Sequence, residues 1–209
     1  METMDQGLTP VICITGGPCA GKTTILSILQ QQLTDTGLTV ITVAEAATEF
    51  IVSGLHPAAL GRLNFQRYLF EHIIEKENRW KKAAALIQAK KKIILCDRGV
   101  VDAAAYIEPA EFDALLKDCG YNIVDLRDRR YNAVIFLQSV AEDAPEIYTR
   151  INNLARSETL EEARRINQRT LNVWLGHPYM TIIDNSTSVE GKAKKAFEVI
   201  CNFLGGRRC

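Results

Sequence analysis

The chain has 209 residues, a length that suits one domain with a full core or one domain with a small insertion. Hydrophobic residues make up 47% and charged residues 24%, and 25 Lys and Arg balance 25 Asp and Glu, so the formal net charge is zero. This balance argues against binding to nucleic acid or membranes through overall charge, and no apolar run approaches the roughly 20 residues that cross a bilayer. We therefore expect a cytoplasmic domain with no membrane span and no nucleic-acid partner.

Short apolar segments alternate with segments of helical periodicity along the chain. The segments predicted as strands cover 10–15, 38–46, 93–97, 132–138 and 180–184. The segments predicted as helices cover 21–36, 46–52, 63–89, 100–107, 109–116 and 188–204. This alternation predicts an α/β fold, with a parallel sheet and helices on both of its faces. Cys13 and Cys96 lie in predicted strands, and we expect both to be buried free thiols.

The stretch TGGPCAGKTT, residues 15–24, matches the pattern GxxxxGK[ST] between a predicted strand and a predicted helix. Glycines let backbone N–H groups turn toward phosphate oxygens, and the start of the helix adds partial positive charge. An incidental glycine-rich turn is the alternative, which the strand–loop–helix context disfavours. The residues predicted to bind the nucleotide are Gly16, Gly17, Pro18, Cys19, Ala20, Gly21, Lys22, Thr23 and Thr24. Lys22 is expected to reach the β- and γ-phosphates, and the Thr23 hydroxyl to ligate Mg²⁺.

The third predicted strand ends in Asp97-Arg98-Gly99. Asp97 is predicted to face the Mg²⁺–phosphate site, because ligands bind at the carboxyl ends of the strands in open α/β sheets. Hydrolytic P-loop motors usually have a second carboxylate at this point to activate water, and Arg98 stands there instead. This favours transfer of a phosphoryl group to an acceptor over hydrolysis. The alternative for Arg98 is a surface ion pair at a strand end.

Glu45 ends the second predicted strand, at the same rim of the sheet. A carboxylate there can accept a proton from an acceptor hydroxyl, which predicts a general base. The alternative is that Glu45 or Glu49 only caps the helix that follows. The candidates to line an acceptor cleft are Phe65, Gln66, Tyr68 and Tyr106.

Residues 141–178 lie between the fourth and fifth predicted strands and are rich in Arg and Glu. We expect them to form helices that cover the site, as a lid insertion within a single domain of residues 1–209. Arginines in a closing lid neutralise charge on the transferring group and exclude water. Arg156, in LARSET, is the first candidate. For any single arginine, a salt-bridged helix surface is the alternative.

Six segments occur in an order that resembles a known family: GGPCAGKTT, VAEAATEF, FQRYLFEHIIEKENRW, CDRGVVDAAAY, LARSET and WLGHPYMTIIDNS. The chain resembles the NadR/Ttd-type AAA-like P-loop family, which includes ribosylnicotinamide kinase domains, and more broadly deoxynucleoside and thymidylate kinases. The resemblance implies a P-loop NTPase three-layer sandwich whose five parallel strands lie in the order 2-3-1-4-5, with a helical lid after strand four. It also implies that Glu45 is the base and that Asp97-Arg98 is the acidic–arginine pair.

Two functions are compatible with these residues. The first is ATP- and Mg²⁺-dependent phosphoryl transfer to a small hydroxylated, nucleoside-like acceptor, with Lys22, Glu45, Asp97, Arg98 and Arg156 in catalytic roles. The second is a nucleotide-binding switch that phosphorylates no acceptor. GTP is the other candidate nucleotide, although the guanine-reading NKxD motif is absent from the sequence.

Overall fold

A computed structural model describes residues 9–143 and 159–205. Its sheet has five parallel strands in the order β2-β3-β1-β4-β5. The strands are β1 (Val11–Thr15), β2 (Thr39–Val43), β3 (Lys92–Asp97), β4 (Ala133–Leu137) and β5 (Met180–Ile183). The predicted P-loop NTPase fold and strand order are confirmed.

Helices cover both faces of the sheet. They are α1 (Lys22–Asp35), α2 (Ala46–Val52), α3 (Pro57–Leu60), α4 (Arg62–Leu86), α5 (Pro109–Asp118), α6 (Val140–Asp143), α7 (Leu160–Trp174) and α8 (Val189–Phe203), with a 3₁₀ helix at Val100–Ala105 and a π-helical turn at Asp125–Arg129. No helix in the described part of the chain is long and apolar enough to cross a membrane.

The central strands are apolar along their whole length because both of their faces are buried. Alternate residues of β1 enter two different hydrophobic clusters. Ile12 and Ile14 pack toward α1 and α8, whereas Cys13 packs toward α4, α5 and α7. Cys13 and Cys96 are buried free thiols, as expected.

Helix α7 lies in the region 141–178, which was expected to form a helical lid, but one of its faces packs in the core. Thr159 and Glu162 form a capping box at its start, and one face of the helix is buried. Trp174 is fully buried in the cluster that includes Cys13 and Val100. Residues 159–174 are therefore part of the packed body of the domain.

Two boundaries differ from prediction in ways that affect the site. β2 ends at Val43, so Ala44 and Glu45 form a turn before α2 instead of continuing the strand. The segment after β3 forms a 3₁₀ helix and not a longer α-helix, and all but one of its residues are buried. This short turn brings Asp102 back beneath the end of β1.

Candidate active site

The loop between β1 and α1 has the backbone shape that the glycine pattern predicts. Gly16 and Gly21 have φ values of 143° and 82°, and Cys19 has a positive φ of 57°. A Cβ at Gly16 would lie 2.1 Å from the carbonyl oxygen of Leu137 on β4. Glycine is therefore required at position 16 by both conformation and space.

Lys22, the first residue of α1, is directed back into this loop. Its Nζ donates hydrogen bonds to the carbonyl oxygens of Gly16 at 3.0 Å and Gly17 at 2.7 Å. Only 6% of the residue is exposed. Burial, aided by the nearby charge of Arg98, lowers the pKa of Lys22 to about 7. An anion in the loop would therefore restore full charge to this lysine.

Thr23 and Asp97 bring two hard oxygen ligands together at the start of α1. The Thr23 hydroxyl donates to Oδ2 of Asp97 at 3.4 Å. Oδ1 of Asp97 is buried and has no hydrogen-bond partner among the described residues. Burial raises the pKa of Asp97, and the charge of Lys22 opposes that shift. An unpartnered carboxylate oxygen beside a threonine hydroxyl fits Mg²⁺, which takes oxygen ligands from one or two side chains and otherwise from water and phosphate.

Glu45 and Arg98 form an ion pair next to the phosphate-binding loop. Arg98 Nε donates to Oε1 of Glu45, and Arg98 also donates to the carbonyl of Gly16 at 3.3 Å. The other carboxylate oxygen of Glu45 accepts from the Thr48 hydroxyl at 2.7 Å. Burial alone would raise the pKa of Glu45, but the charges of Arg98 and Lys22 lower it to about 2. Glu45 is therefore ionised at neutral pH.

This arrangement argues against the two structural alternatives for Glu45 and Arg98, a helix cap and a surface ion pair. Glu45 occupies the N-cap position of α2, yet its side chain makes no capping hydrogen bond. The Arg98 side chain is 15% exposed, so it is not a surface ion pair. Arg98 also has a φ of 74°, a conformation that is costly for a residue with a side chain and that occurs preferentially at functional sites.

Asp102 ties Arg98 to the core behind the site. Its Oδ2 accepts from the Thr15 hydroxyl at 2.7 Å, and its Oδ1 accepts from the indole N–H of Trp174 at 2.6 Å. A terminal nitrogen of Arg98 lies 3.8 Å from Oδ2 of Asp102. Asp102 therefore adds a second carboxylate close to the Arg98 guanidinium, besides that of Glu45.

These residues line a cleft of about 1210 Å³ at the carboxyl ends of the strands. Residues 18–24 of the phosphate-binding loop and the start of α1 line this cleft, and the other lining residues come from two parts of the chain. The first group, on α2, α3, α4 and the segment after β3, includes Glu45, His56, Phe65, Gln66, Leu69, Lys76, Arg98 and Tyr106. The second group, between β5 and α8, includes Asn185, Thr187, Ser188, Val189 and Lys192.

The structure brings Glu45, Asp97 and Arg98 together beside the predicted phosphate-binding loop. Phe65, Gln66 and Tyr106 line the cleft as predicted, but Tyr68 does not, because it points outward with 55% of its surface exposed. Arg156 lies outside the described residues. Two other arginines of the region lie on α7 and donate to backbone carbonyl oxygens. Arg164 donates to that of Ala141 at 2.6 Å, and Arg169 donates to that of Ala104 at 3.2 Å.

Three residues that contribute to the site were not singled out from the sequence. Asn167 of α7 is fully buried, and its Oδ1 accepts the backbone N–H groups of Gly17 and Ser139, each at 3.2 Å. Lys76 and Lys192 are buried lysines that donate to backbone carbonyls beside the cleft. Lys192 belongs to a lysine-rich run, and the sequence alone does not distinguish this buried lysine from the more exposed Lys194 and Lys195.

Comparison with known protein families agrees with this geometry. The family described as AAA domain matches residues 11–192. The chain belongs to this family. No curated protein matches the sequence of this AAA-domain chain. The narrower NadR/Ttd-type resemblance stays a prediction.

Solved structures of two kinases share the fold of this AAA-domain chain. Deoxyadenosine kinase from M. mycoides, solved with the products dCMP and dCDP, has a TM-score of 0.59 at 18% identity and covers 94% of this chain and 100% of its own. Thymidylate kinase from Candida albicans has a TM-score of 0.67 at 18% identity and covers 97% of this chain and 95% of its own. Similarity at this identity establishes a P-loop kinase-like fold.

Proposed function

We propose that this protein transfers the γ-phosphoryl group of ATP to a hydroxyl of a small, nucleoside-like acceptor. The observation that carries the proposal is the ion pair of Glu45 and Arg98, which places a carboxylate and a guanidinium beside the phosphate-binding loop, within one cleft. A protein that only binds a nucleotide does not need an ionised, partly buried carboxylate in the cleft beside the phosphate-binding loop.

The donor half of the site consists of the loop 16–23 and Asp97. Backbone N–H groups of the loop bind phosphate oxygens, and Lys22 exchanges its bonds to loop carbonyls for bonds to phosphate. Thr23 and Asp97 would hold Mg²⁺, since their oxygens meet at 3.4 Å and Oδ1 of Asp97 needs a partner. When bound, Mg²⁺ would neutralise charge on the β- and γ-phosphates.

The acceptor half lies between the turn at Glu45 and helix α4. A carboxylate has about four lone-pair sites, and Glu45 uses one on each oxygen, for Arg98 and for Thr48. The remaining sites can accept a hydrogen bond from an acceptor hydroxyl and take its proton as the new P–O bond forms. The low pKa of Glu45 makes it a weak base, which suits a loose transition state in which orientation of the hydroxyl matters most.

The Gln66 side chain favours an acceptor molecule that carries a hydrogen-bond donor. It is 5% exposed, lines the cleft, and its Oε1 has no hydrogen-bond partner among the described residues. An unpaired buried amide oxygen costs about 1–3 kcal/mol, which a donor group on a bound molecule would recover. Phe65 and Leu69 provide apolar walls on the same helix. A nucleoside-like molecule combines these properties, with a flat apolar ring, polar edges and free hydroxyls.

The proposal is tested by the kinetics of a Glu45→Gln variant. Transfer from labelled ATP to a panel of nucleosides is measured with Mg²⁺ present, and kcat is expected to fall by about 10²–10⁴-fold, because Gln cannot take the proton. Glu75→Gln, at an exposed glutamate of α4, is the matched control and should keep full activity. Transfer by Glu45→Gln at the wild-type rate would refute the proposed role, and the absence of transfer by wild type across the panel would favour a nucleotide-binding switch.

A further inference from the structure

One face of α4 contacts the connection between β2 and α2, which carries Glu45. His72, Lys76 and Trp80 are spaced four residues apart, so they form a single ridge on the helix. Trp80 donates from its indole to the carbonyl of Thr42 at 3.0 Å, and Lys76 donates to the carbonyl of Ala44 at 2.9 Å. β2 is an edge strand, and the ridge binds one carbonyl group near the end of β2 and one in the residue just after it.

Lys76 also holds the helix that begins after Glu45. Its Nζ donates to Oε1 of Glu49, whose other oxygen lies 3.4 Å from the His72 ring. Glu49 is one helical turn beyond Glu45, and Ala44 is the residue immediately before it. A single ammonium group therefore bonds the backbone on one side of Glu45 and the first turn of α2 on the other.

The position of Lys76 suits a fixed contact and not a mobile surface charge. Its side chain is 8% exposed, and Nζ lies 6.0 Å from the centre of the Trp80 ring. The Glu49 side chain, in contrast, is 48% exposed, so water can solvate its carboxylate without Lys76. A buried lysine in this geometry pays a desolvation cost that its bonds to Ala44 and Glu49 offset.

We propose that Lys76 is a positioning residue that fixes the Glu45 carboxylate against Arg98 and the phosphate-binding loop. This inference rests on the proposed function for its catalytic consequence, but the geometry it describes exists without an acceptor. Contacts of the Glu45 side chain orient its carboxylate, whereas Lys76 fixes the turn from which that side chain projects. A displacement of about 1 Å from productive geometry can lower a rate by 10²-fold. Loss of Lys76 should therefore lower the rate of phosphoryl transfer, although it removes no group that touches substrate.

The test uses four variants of the full chain, and a fifth, Glu45→Gln, serves only to assign a signal. Lys76→Met removes the ammonium, Lys76→Arg keeps a charged donor, and Lys82→Met changes an exposed lysine on the same helix as a control. Glu49→Gln keeps the charge of Lys76 but weakens its tie to α2. Thermal stabilisation by ATP with Mg²⁺ shows that each variant is folded and that its donor site is intact.

The first readout is the carboxyl signal of Glu45 in protein labelled with ¹³C-glutamate, assigned by its loss in Glu45→Gln. In wild type the charges of Arg98 and Lys22 and the hydrogen bonds from Thr48 and Arg98 keep the pKa of Glu45 at about 2, so the signal at pH 4 should match that at pH 7. The nearby Asp97 carboxylate is an anion and acts in the opposite direction. In Lys76→Met the signal at pH 4 should move toward the protonated form, and Lys76→Arg should restore it. Lys82→Met should leave the signal unchanged.

The Glu49→Gln variant distinguishes an effect of Lys76 on the position of Glu45 from an effect of the charge of Lys76. Removing an anion close to Glu45 would by itself lower the pKa of Glu45 further, whereas loosening the turn raises it. A partial move of the signal toward the protonated form in Glu49→Gln therefore supports positioning. A signal that moves in Lys76→Met but stays at its wild-type value in Glu49→Gln would mean that Lys76 acts through its charge, and would overturn the proposal.

The second readout is steady-state transfer. Lys76→Met should lower kcat by about 10²-fold while the acceptor KM changes little, with recovery in Lys76→Arg. An unchanged kcat and an unchanged Glu45 signal would overturn the proposal, as would a raised acceptor KM at constant kcat, since that pattern indicates direct contact with the acceptor. If wild type transfers to no acceptor while the Glu45 signal still responds to Lys76→Met, the proposed function fails and the positioning role stands.

Discussion

Arg98 donates from its Nε to a carboxylate oxygen of Glu45, which joins the residue after β3 to the residue that precedes α2. Both side chains are largely buried, with 15% and 21% of their surfaces exposed. The pair places an anion and a cation, both charged at neutral pH, beside the phosphate-binding loop. Its effects on stability and on chemistry can be measured separately.

Acid should remove the stabilisation that comes from ionised Glu45. The folded-state pKa of about 2 lies below the ordinary value of 4.5, so this stabilisation is complete above about pH 4.5 and is lost as the pH falls toward 2. The difference in unfolding free energy between wild type and Glu45→Gln should narrow by about 2 kcal/mol from pH 6 to pH 3. Urea unfolding at the two pH values measures it, and a constant difference would contradict the ion-pair geometry.

Nucleotide binding should take up a proton at alkaline pH. Lys22 has a pKa of about 7 in the free protein because of its burial and the charge of Arg98, so it is mostly neutral at pH 8.5. Phosphate oxygens favour the ammonium form, so ATP binding with Mg²⁺ should take up about one proton at pH 8.5 and almost none at pH 6. Calorimetry in buffers of different ionisation enthalpy measures the uptake. Equal proton uptake at the two pH values would show that Lys22 is not the buried phosphate ligand.

Substitution of Gly17 should damage the phosphate-binding loop. A Cβ at this position would lie 2.5 Å from Cβ and 2.8 Å from Cα of Asn167, so α7 would have to move. Gly17→Ala should lower the unfolding free energy by about 1–3 kcal/mol and reduce thermal stabilisation by ATP.

Gly37→Ala is the control for the Gly17 variant. A Cβ at Gly37 would meet no atom of the described residues within 4 Å, but the φ of 88° is unfavourable for alanine, so the substitution costs backbone strain alone. Its response to ATP should match wild type. If both variants keep the full response to ATP, contact between α7 and the loop does not shape the nucleotide site.

The hydrogen bond from Thr15 to Asp102 should contribute measurably to stability. Thr15→Val is almost isosteric but leaves Oδ2 of the buried Asp102 without its donor, which should cost about 1–3 kcal/mol. Thr34→Val removes an exposed hydroxyl that donates to the carbonyl of Gln30 within α1 and should cost less than about 0.5 kcal/mol. Chemical denaturation of the two variants compares them, and equal costs would show that Asp102 does not depend on Thr15.

The sheet and the phosphate-binding loop could be predicted because their signals are local. The three central strands, β1, β3 and β4, are buried on both faces and are near-continuous apolar runs. The two edge strands are shorter or only partly buried, but their β-branched residues also mark them in the sequence. The glycine spacing of 16–21 follows from the backbone shape that the loop needs. Glu45 and Arg98 could be placed at one rim by the rule that ligands bind at the carboxyl ends of parallel strands.

The role of α7 could not be predicted because its buried face is only partly apolar. The buried residues of this helix are Ala163, Ile166, Asn167, Thr170 and Trp174. Their helical spacing is a signal that could have been read, but the surrounding Arg and Glu residues obscure it. Asn167 is buried without penalty only because Gly17 and Ser139 donate to it, and these partners lie far away in the sequence.

The burial of Lys76 beside the edge strand β2 could not be predicted from the sequence either. In the sequence it is one charge among many on a long helix. Its burial depends on the carbonyl of Ala44 and on Glu49, which are more than twenty residues away. Contacts of this kind depend on the tertiary arrangement, so the periodicity of α4 does not reveal them.

The fate of the γ-phosphoryl group tests the central claim most directly. Wild-type protein is incubated with γ-labelled ATP, Mg²⁺ and a panel of nucleosides and related hydroxylated molecules, and the label in organic product is compared with that in inorganic phosphate. We predict label in at least one acceptor, formed faster than inorganic phosphate, and loss of that product in Asp97→Ala. Label that appears only in inorganic phosphate, or stays in ATP with every acceptor while ATP binds tightly, would contradict the claim that this site is a kinase.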